Sequence, residues 1–173
     1  MATLEKCPGC GAMFQDSSSA THPYMESSPG CWAIYGEVLA REYSDQSYFE
    51  VHRLSVDAYA VQHPGKPSRQ SIQSVGLHLI RLYHFLEHGL TADKANGAIL
   101  AAGKIKHSFN WLTPPASLGD VTVLDVYRAQ DIAEHRKLVW QWAQSAWEAW
   151  APHHATVRQW QLLAQNRGRS DSS

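Results

Sequence analysis

The chain reads as an all-α protein, a compact bundle of five to seven helices with an irregular N-terminal zinc-binding loop. Three observations carry that expectation. Apolar residues recur at helical spacing, as in Ile72, Val75, Leu79, Leu82, Tyr83 and Leu86. Helix-start and helix-stop residues bracket such stretches, Ser28-Pro29 and Gly89 among them. Residues 1–28, by contrast, are polar and turn-rich and contain Cys7-Pro8-Gly9-Cys10-Gly11.

Composition sets the outer bounds. The 173 residues are 44% hydrophobic and 18% charged, enough for one domain to bury a core without help from disulfides. The expected layout is a single domain over 1–173: a metal-knuckle loop (1–28) packed on a helical domain (29–166), then a frayed tail (167–173). A net charge of −1 offers no basic field for nucleic acid. No apolar run approaches the length of a bilayer span, and nothing resembles a signal peptide. Three cysteines are too few, and odd in number, for a disulfide framework, so a reduced, cytoplasmic setting is expected.

The helices follow in order. Ser28 caps a first helix through Trp32, Tyr35, Val38 and Leu39 to about Tyr43. Ser44-Asp45 caps a second, from roughly Gln46 to His63, which His63-Pro64-Gly65-Lys66-Pro67 ends. A third spans about Ser68 to His88, with Gly89 as its stop. Thr91 opens a fourth, alanine-rich, to about His107, and Trp111–Pro115 is a loop. Thr122-x-x-Asp125 marks a short capped helix, although residues 121–126 also have strand propensity. Asp131 opens a longer helix to Trp150, and Pro152 starts a last one. The tryptophans Trp140, Trp142, Trp147, Trp150 and Trp160 fall on these two and read as core packing.

The cysteines carry the clearest chemistry. A structural zinc site takes four ligands in tetrahedral array. Cys7 and Cys10 supply two from one Pro/Gly turn. Cys31 is a third, in the first turn of its helix, where the macrodipole favours the thiolate. His22, between them in sequence, is the expected fourth and gives Cys-x2-Cys-x11-His-x8-Cys; a histidine from elsewhere in the bundle would serve equally. The expected cofactor is Zn2+. Against this stands a floppy terminus with free thiols, and a catalytic Cys31 is the weaker reading.

The histidines are the second signal. His52, Val56, Tyr59 and His63 share one helix face with Phe49. His52 and His63 lie roughly 16 Å apart along the axis, too far for one ion. If the Pro64–Pro67 turn joins antiparallel helices, His52 and His78 stand at the same height. They could then meet in the interior, around a metal or in a hydrogen-bonded polar pocket, with Asp57, Tyr59 and Gln62 to orient them. Satisfied core histidines are the competing reading. His84 and His88, at i and i+4, are expected on the surface, though that spacing also suits a metal. His153 is expected in solvent, and His154 is left open to the zinc loop or the interior pocket.

Taken together, Cys7-Pro-Gly-Cys-Gly, Val56-Asp-Ala-Tyr-Ala-Val-Gln-His-Pro64, Gly76-Leu-His-Leu-Ile80 and Ser145-Ala-Trp-Glu-Ala-Trp150 resemble a bacterial domain-of-unknown-function family with an N-terminal Cys-Pro-x-Cys-Gly element. The similarity extends from about residue 7 to 161. It implies a small cytosolic protein with a metal knuckle, singles out Asp57, Gln62 and His63, and supplies no substrate.

Two functions are weighed. The first is a zinc-stapled helical protein that binds another protein or a small-molecule ligand and does no chemistry of its own. The alternative is a metal-dependent, hydrolase-like enzyme whose pocket, between the second and third helices, is lined by His52, Asp57, His63 and His78. A zinc with only three protein ligands would leave it a water to activate. Nucleic acid and membranes are not expected partners.

Overall fold

The computed structural model describes residues 3–170. The N-terminal segment is less irregular than expected. It is a two-stranded antiparallel hairpin, β1 (Leu4–Lys6) and β2 (Met13–Gln15), in the register Leu4↔Gln15, Glu5↔Phe14 and Lys6↔Met13. Strands of three residues are too short for an alternating pattern to declare itself. The knuckle is the connection between them. Cys7 N–H donates to the Ala12 carbonyl (2.9 Å) and Gly11 N–H to the Cys7 carbonyl (3.0 Å). Gly11 adopts φ 77°, in the left-handed region that glycine enters without steric cost.

Eight α-helices follow: α1 (Pro29–Ser44), α2 (Gln46–Phe49), α3 (His52–Gln62), α4 (Arg69–His88), α5 (Ala92–Ile105), α6 (Val123–Tyr127), α7 (Ile132–Ala149) and α8 (His154–Ser170). Single 3-10 turns continue α5 (Lys106–Ser108) and precede α8 (Ala151–His153). The described residues are thus mostly helical, with one helix more than the upper limit expected. The extra one arises because the expected second helix is two. The chain leaves helical geometry at Val51 (φ −101°, ψ 0°), which lets the one-turn α2 lie against α1 and α7 while α3 turns into the core.

Side-chain caps set most helix starts. Ser28 accepts from Cys31 N–H, Asp45 from Ser47 N–H, Ser68 from Ser71 N–H and Asp131 from Glu134 N–H. Thr122 and Asp125 form a reciprocal capping box at α6, which decides that segment as helix over strand. Gly89 (φ 57°) ends α4 in a left-handed turn. Helix α8 runs on through Arg167 to Ser170, past the point where a frayed tail was expected; residues 171–173 of that tail lie outside the described residues.

Helix α3 is the axis of the fold. It packs on α4 and α7, and nine of its residues, from His52 to Gln62, are buried. Around it lie Leu79, Ile80 and Leu82 of α4 with Trp142 and Trp150. Both indoles reach α3 with their N–H groups: Trp142 donates to Gln62 Oε1 (2.7 Å) and Trp150 to the Val61 carbonyl (3.0 Å). Neither of these two indoles is therefore left with an unpaired donor. Trp147 and Trp160 are buried as well, whereas Trp140 faces solvent. No described helix is long and apolar enough to cross a membrane.

Candidate metal centre

The C-terminus of α3, the first turn of α1 and the knuckle converge on one point. Cys7 Sγ, Cys10 Sγ, Cys31 Sγ and a nitrogen of His63 all lie within 4.8 Å of one another. His63 Nε2 is 3.4 Å from both Cys7 Sγ and Cys31 Sγ, and Cys10 Sγ is 3.9 Å from Cys31 Sγ. With metal bonds of about 2.3 Å to sulfur and about 2.0–2.1 Å to nitrogen, a tetrahedron has S···S edges of about 3.8 Å and S···N edges of about 3.5 Å. The observed spacings match those edges. This Cys3His group could hold a metal ion.

Each donor is placed by local sequence. Pro8 and Gly9 turn the knuckle so that Cys7 and Cys10 face inward. A Cβ on Gly9 would stand 2.7 Å from the carbonyl oxygens of Gln62 and Glu26 and would collide with the His63 ring, so only glycine lets the knuckle come this close. Cys31 is fixed by the Ser28 cap, which its N–H meets at 3.2 Å. His63 follows the last residue of α3, with its ring stacked on Tyr59 (centroids 3.9 Å apart). Its Nδ1–H donates to the Tyr59 carbonyl (2.7 Å), which turns Nε2 toward the sulfurs.

Two further donors address the sulfurs. Ser28 N–H points at Cys7 Sγ (3.5 Å) and the Tyr59 hydroxyl at Cys31 Sγ (3.6 Å). Burial, then the nearby Cys31, pushes the Tyr59 phenol above its usual range, so it stays a donor. The three thiols compete for ionisation. Hydrogen bonds from Cys10 and Cys31 pull Cys7 well below the ordinary thiol range, against the effect of burial. Cys31 is driven far up by the hydrogen bonds with Cys10 and Cys7 and by burial. Cys10 is pushed up to about 12: its hydrogen bond with Cys31 lowers it, but that with Cys7, burial and the charge on Cys7 together win. Protein groups alone therefore support one thiolate here.

His22, expected as fourth ligand, is outside the group. Its ring packs edge-on against Tyr24 and Trp32, and its Nδ1 accepts from the N–H groups of Tyr24 (3.4 Å) and Met25 (3.3 Å). Those contacts pin the imidazole to its own loop. His63, 32 residues after Cys31 in sequence, takes the place because α3 brings its C-terminus beside the knuckle. His63 is a histidine from elsewhere in the bundle, the alternative the sequence left open, and it faces the thiols rather than a pocket shared with His52.

His52 and His78 do not meet. His52 Nδ1–H donates to Glu42 Oε2 (2.9 Å), and its Nε2 accepts from the Tyr43 hydroxyl (3.2 Å). Glu42 is fully buried and also receives His135 Nε2–H (3.1 Å) and the Ser55 hydroxyl. Burial opposes ionisation of Glu42, but the hydrogen bonds from His135, His52 and Ser55 outweigh it and hold the carboxyl below its usual range. His78 belongs to a separate group. Its Nδ1–H donates to Asp57 Oδ1 (2.7 Å), and Arg81 grips the same buried carboxylate through Nε (2.8 Å) and Nη2 (2.6 Å). Sequence reasoning missed Glu42 and His135. The available signal was an acid at i+4 from Val38 on the apolar face of α1.

Gln62 serves the fold. It holds the 118–121 loop through the carbonyls of Leu118 (3.0 Å) and Val121 (2.8 Å). His154, left open between metal and pocket, reaches neither: it stacks on Trp147 with centroids 3.7 Å apart and hydrogen-bonds the Trp147 carbonyl (2.9 Å). His153 bonds the Thr113 carbonyl (2.8 Å).

No curated protein and no solved structure matches this chain. A family model does, over residues 5–151, which takes in all of the hairpin but Leu4, the knuckle, all four donors of the Cys3His group and both interior carboxylate networks. The chain belongs to DUF5946, a family of unknown function.

Proposed function

We propose that Cys7, Cys10, Cys31 and His63 hold one zinc ion in a structural role, and that the protein acts by binding a partner protein or small ligand rather than by catalysis. The observation that carries this is the closed donor set. Four protein ligands fill a tetrahedron, three of them sulfur, and leave no position for the water that a catalytic zinc keeps. Sulfur-rich tetrahedral sets select zinc or iron–sulfur chemistry; a single Cys3His centre without a second cysteine cluster favours zinc. The ion would tie the N-terminal hairpin, the start of α1 and the end of α3 into one unit. It would also stabilise the two thiolates that the protein groups alone leave protonated.

The hydrolase-like alternative needed His52 and His78 around one cavity. Each is instead bonded to its own buried carboxylate, and neither lines any of five surface clefts of about 280 to 610 Å3. The binding surface itself is proposed at the cleft of about 470 Å3 between the knuckle and residues 116–118, where half-buried Cys10 reaches its wall.

Metal analysis tests the proposal. Protein expressed in zinc-replete medium carries one equivalent of zinc. His63→Ala loses it and His22→Ala retains it. Less than half an equivalent in the wild-type protein, or loss on replacing His22, refutes the assignment.

A further inference from the structure

The i, i+4 pair on α4 is not the surface pair that the sequence suggested. His84 is 5% exposed, and so is Gln161 opposite it on α8. Among the described residues, neither ring nitrogen of His84 nor Gln161 Oε1 has a partner at full hydrogen-bond geometry, although the Gln161 side chain stands close enough to act on the His84 imidazole. Buried groups of this kind are ordinarily satisfied, so three open positions in one place call for an occupant. Both residues belong to the lining of a cleft of about 550 Å3, which also includes Tyr83, His88, Arg158 and Gln165.

The chemistry of those atoms selects the occupant. Burial keeps the His84 imidazole below its ordinary range, with Gln161 pulling the other way, so at neutral pH it presents a lone pair. Gln161 Oε1 is an acceptor. His88, exposed and one turn along, adds a second imidazole, its ring centroid 5.9 Å from that of His84. Two imidazoles bound through nitrogen to one ion at about 2.0–2.1 Å place their centroids roughly 5–6 Å apart. Arg158 does not repel a cation here, because Glu87 holds its guanidinium at 2.9 and 3.0 Å. Two nitrogens and an oxygen form a borderline donor set, unlike the sulfur-rich set at the knuckle.

We propose that His84, His88 and Gln161 form a second site, which takes one divalent first-row transition metal through two imidazole nitrogens and an amide oxygen, its remaining positions open to the cleft. The site is independent of the zinc reading. Gln161 also lies beyond residues 5–151, so the family match does not carry it.

Titration of Ni2+ into the untagged, zinc-loaded full chain by calorimetry tests this, with zinc release followed by a chromogenic chelator in the same samples. One equivalent of Ni2+ is expected to bind without displacing zinc. His88→Gln, an exposed change that leaves the core alone, weakens binding at least about tenfold by removing one of two imidazoles, and Gln161→Leu weakens it about fivefold. His84→Gln abolishes it, with the melting curve as a control for folding. His153→Gln has no effect. Absence of Ni2+ uptake by the wild-type protein, or an affinity unchanged in either His88→Gln or Gln161→Leu, overturns the proposal.

Discussion

The knuckle and the interior carboxylate networks are both buried and both include histidine, yet their chemistry differs. Around Glu42 and Asp57 the protein supplies every partner: two histidines and a serine for one, a histidine and an arginine for the other. At the knuckle three thiols and an imidazole face one another, with no carboxylate in the group. The first arrangement is complete as a hydrogen-bonded core. The second is a donor set that could hold a metal ion. Residue type did not separate the two cases; the count of donors, acceptors and charges did.

The largest expected effect breaks the knuckle. Cys31→Ser should lose the metal and lower unfolding stability by more than about 4 kcal/mol, since binding free energy at a structural site is folding free energy. Urea unfolding of zinc-loaded and chelator-treated wild-type protein should show the same gap. Equal midpoints would mean that the hairpin holds without metal.

Next comes the carboxylate side of the comparison. Asp57→Asn leaves Arg81 buried against a neutral amide and should cost about 3 kcal/mol, with zinc content unchanged. A fall in zinc content would couple the two regions that the account keeps apart.

Glu42 makes the contrast pH-dependent. Its folded-state pKa lies below the unfolded value, so the unfolded state binds the proton more readily and stability rises with pH. The contribution is present above the ordinary carboxylate range and disappears as pH falls through the lowered folded value. Glu42→Gln should therefore lose less stability than wild type on acidification from neutral pH toward the acid side of that range. Zinc release in acid affects both proteins, so the difference between them is the measurement.

A smaller effect is expected at Tyr59. Tyr59→Phe keeps the ring stacked between Tyr35 and His63 but removes the hydroxyl that points at Cys31. Competition with a chromogenic chelator should show zinc affinity reduced about tenfold, with little change in core stability.

Much of this fold could be read from residues whose effects are local. Ser28, Asp45, Ser68, Thr122 and Asp131 act on N–H groups two or three residues away, and the helices start where they stand. Cys7, Cys10 and Cys31 were legible for the same reason, since a turn and a helix start place them. His63 was not legible as a member of the cysteine group. Its role depends on α3 delivering its C-terminus to the knuckle and on Gly9 allowing the approach, both consequences of tertiary packing. The meeting of His52 and His78 failed on a similar point. An equal height on antiparallel helices says nothing about which neighbour a ring turns toward, and Glu42, from a third helix, claimed one of them. The break at Val51 likewise leaves no proline or glycine to announce it.

The most direct test of the central claim is zinc K-edge X-ray absorption on the purified protein. The account predicts one equivalent of zinc with three sulfur scatterers at about 2.3 Å and one imidazole nitrogen at about 2.0–2.1 Å. The imidazole signal should vanish in His63→Ala and persist in His22→Ala. A zinc shell holding a water oxygen in place of the imidazole, or an imidazole signal that follows His22, would contradict it.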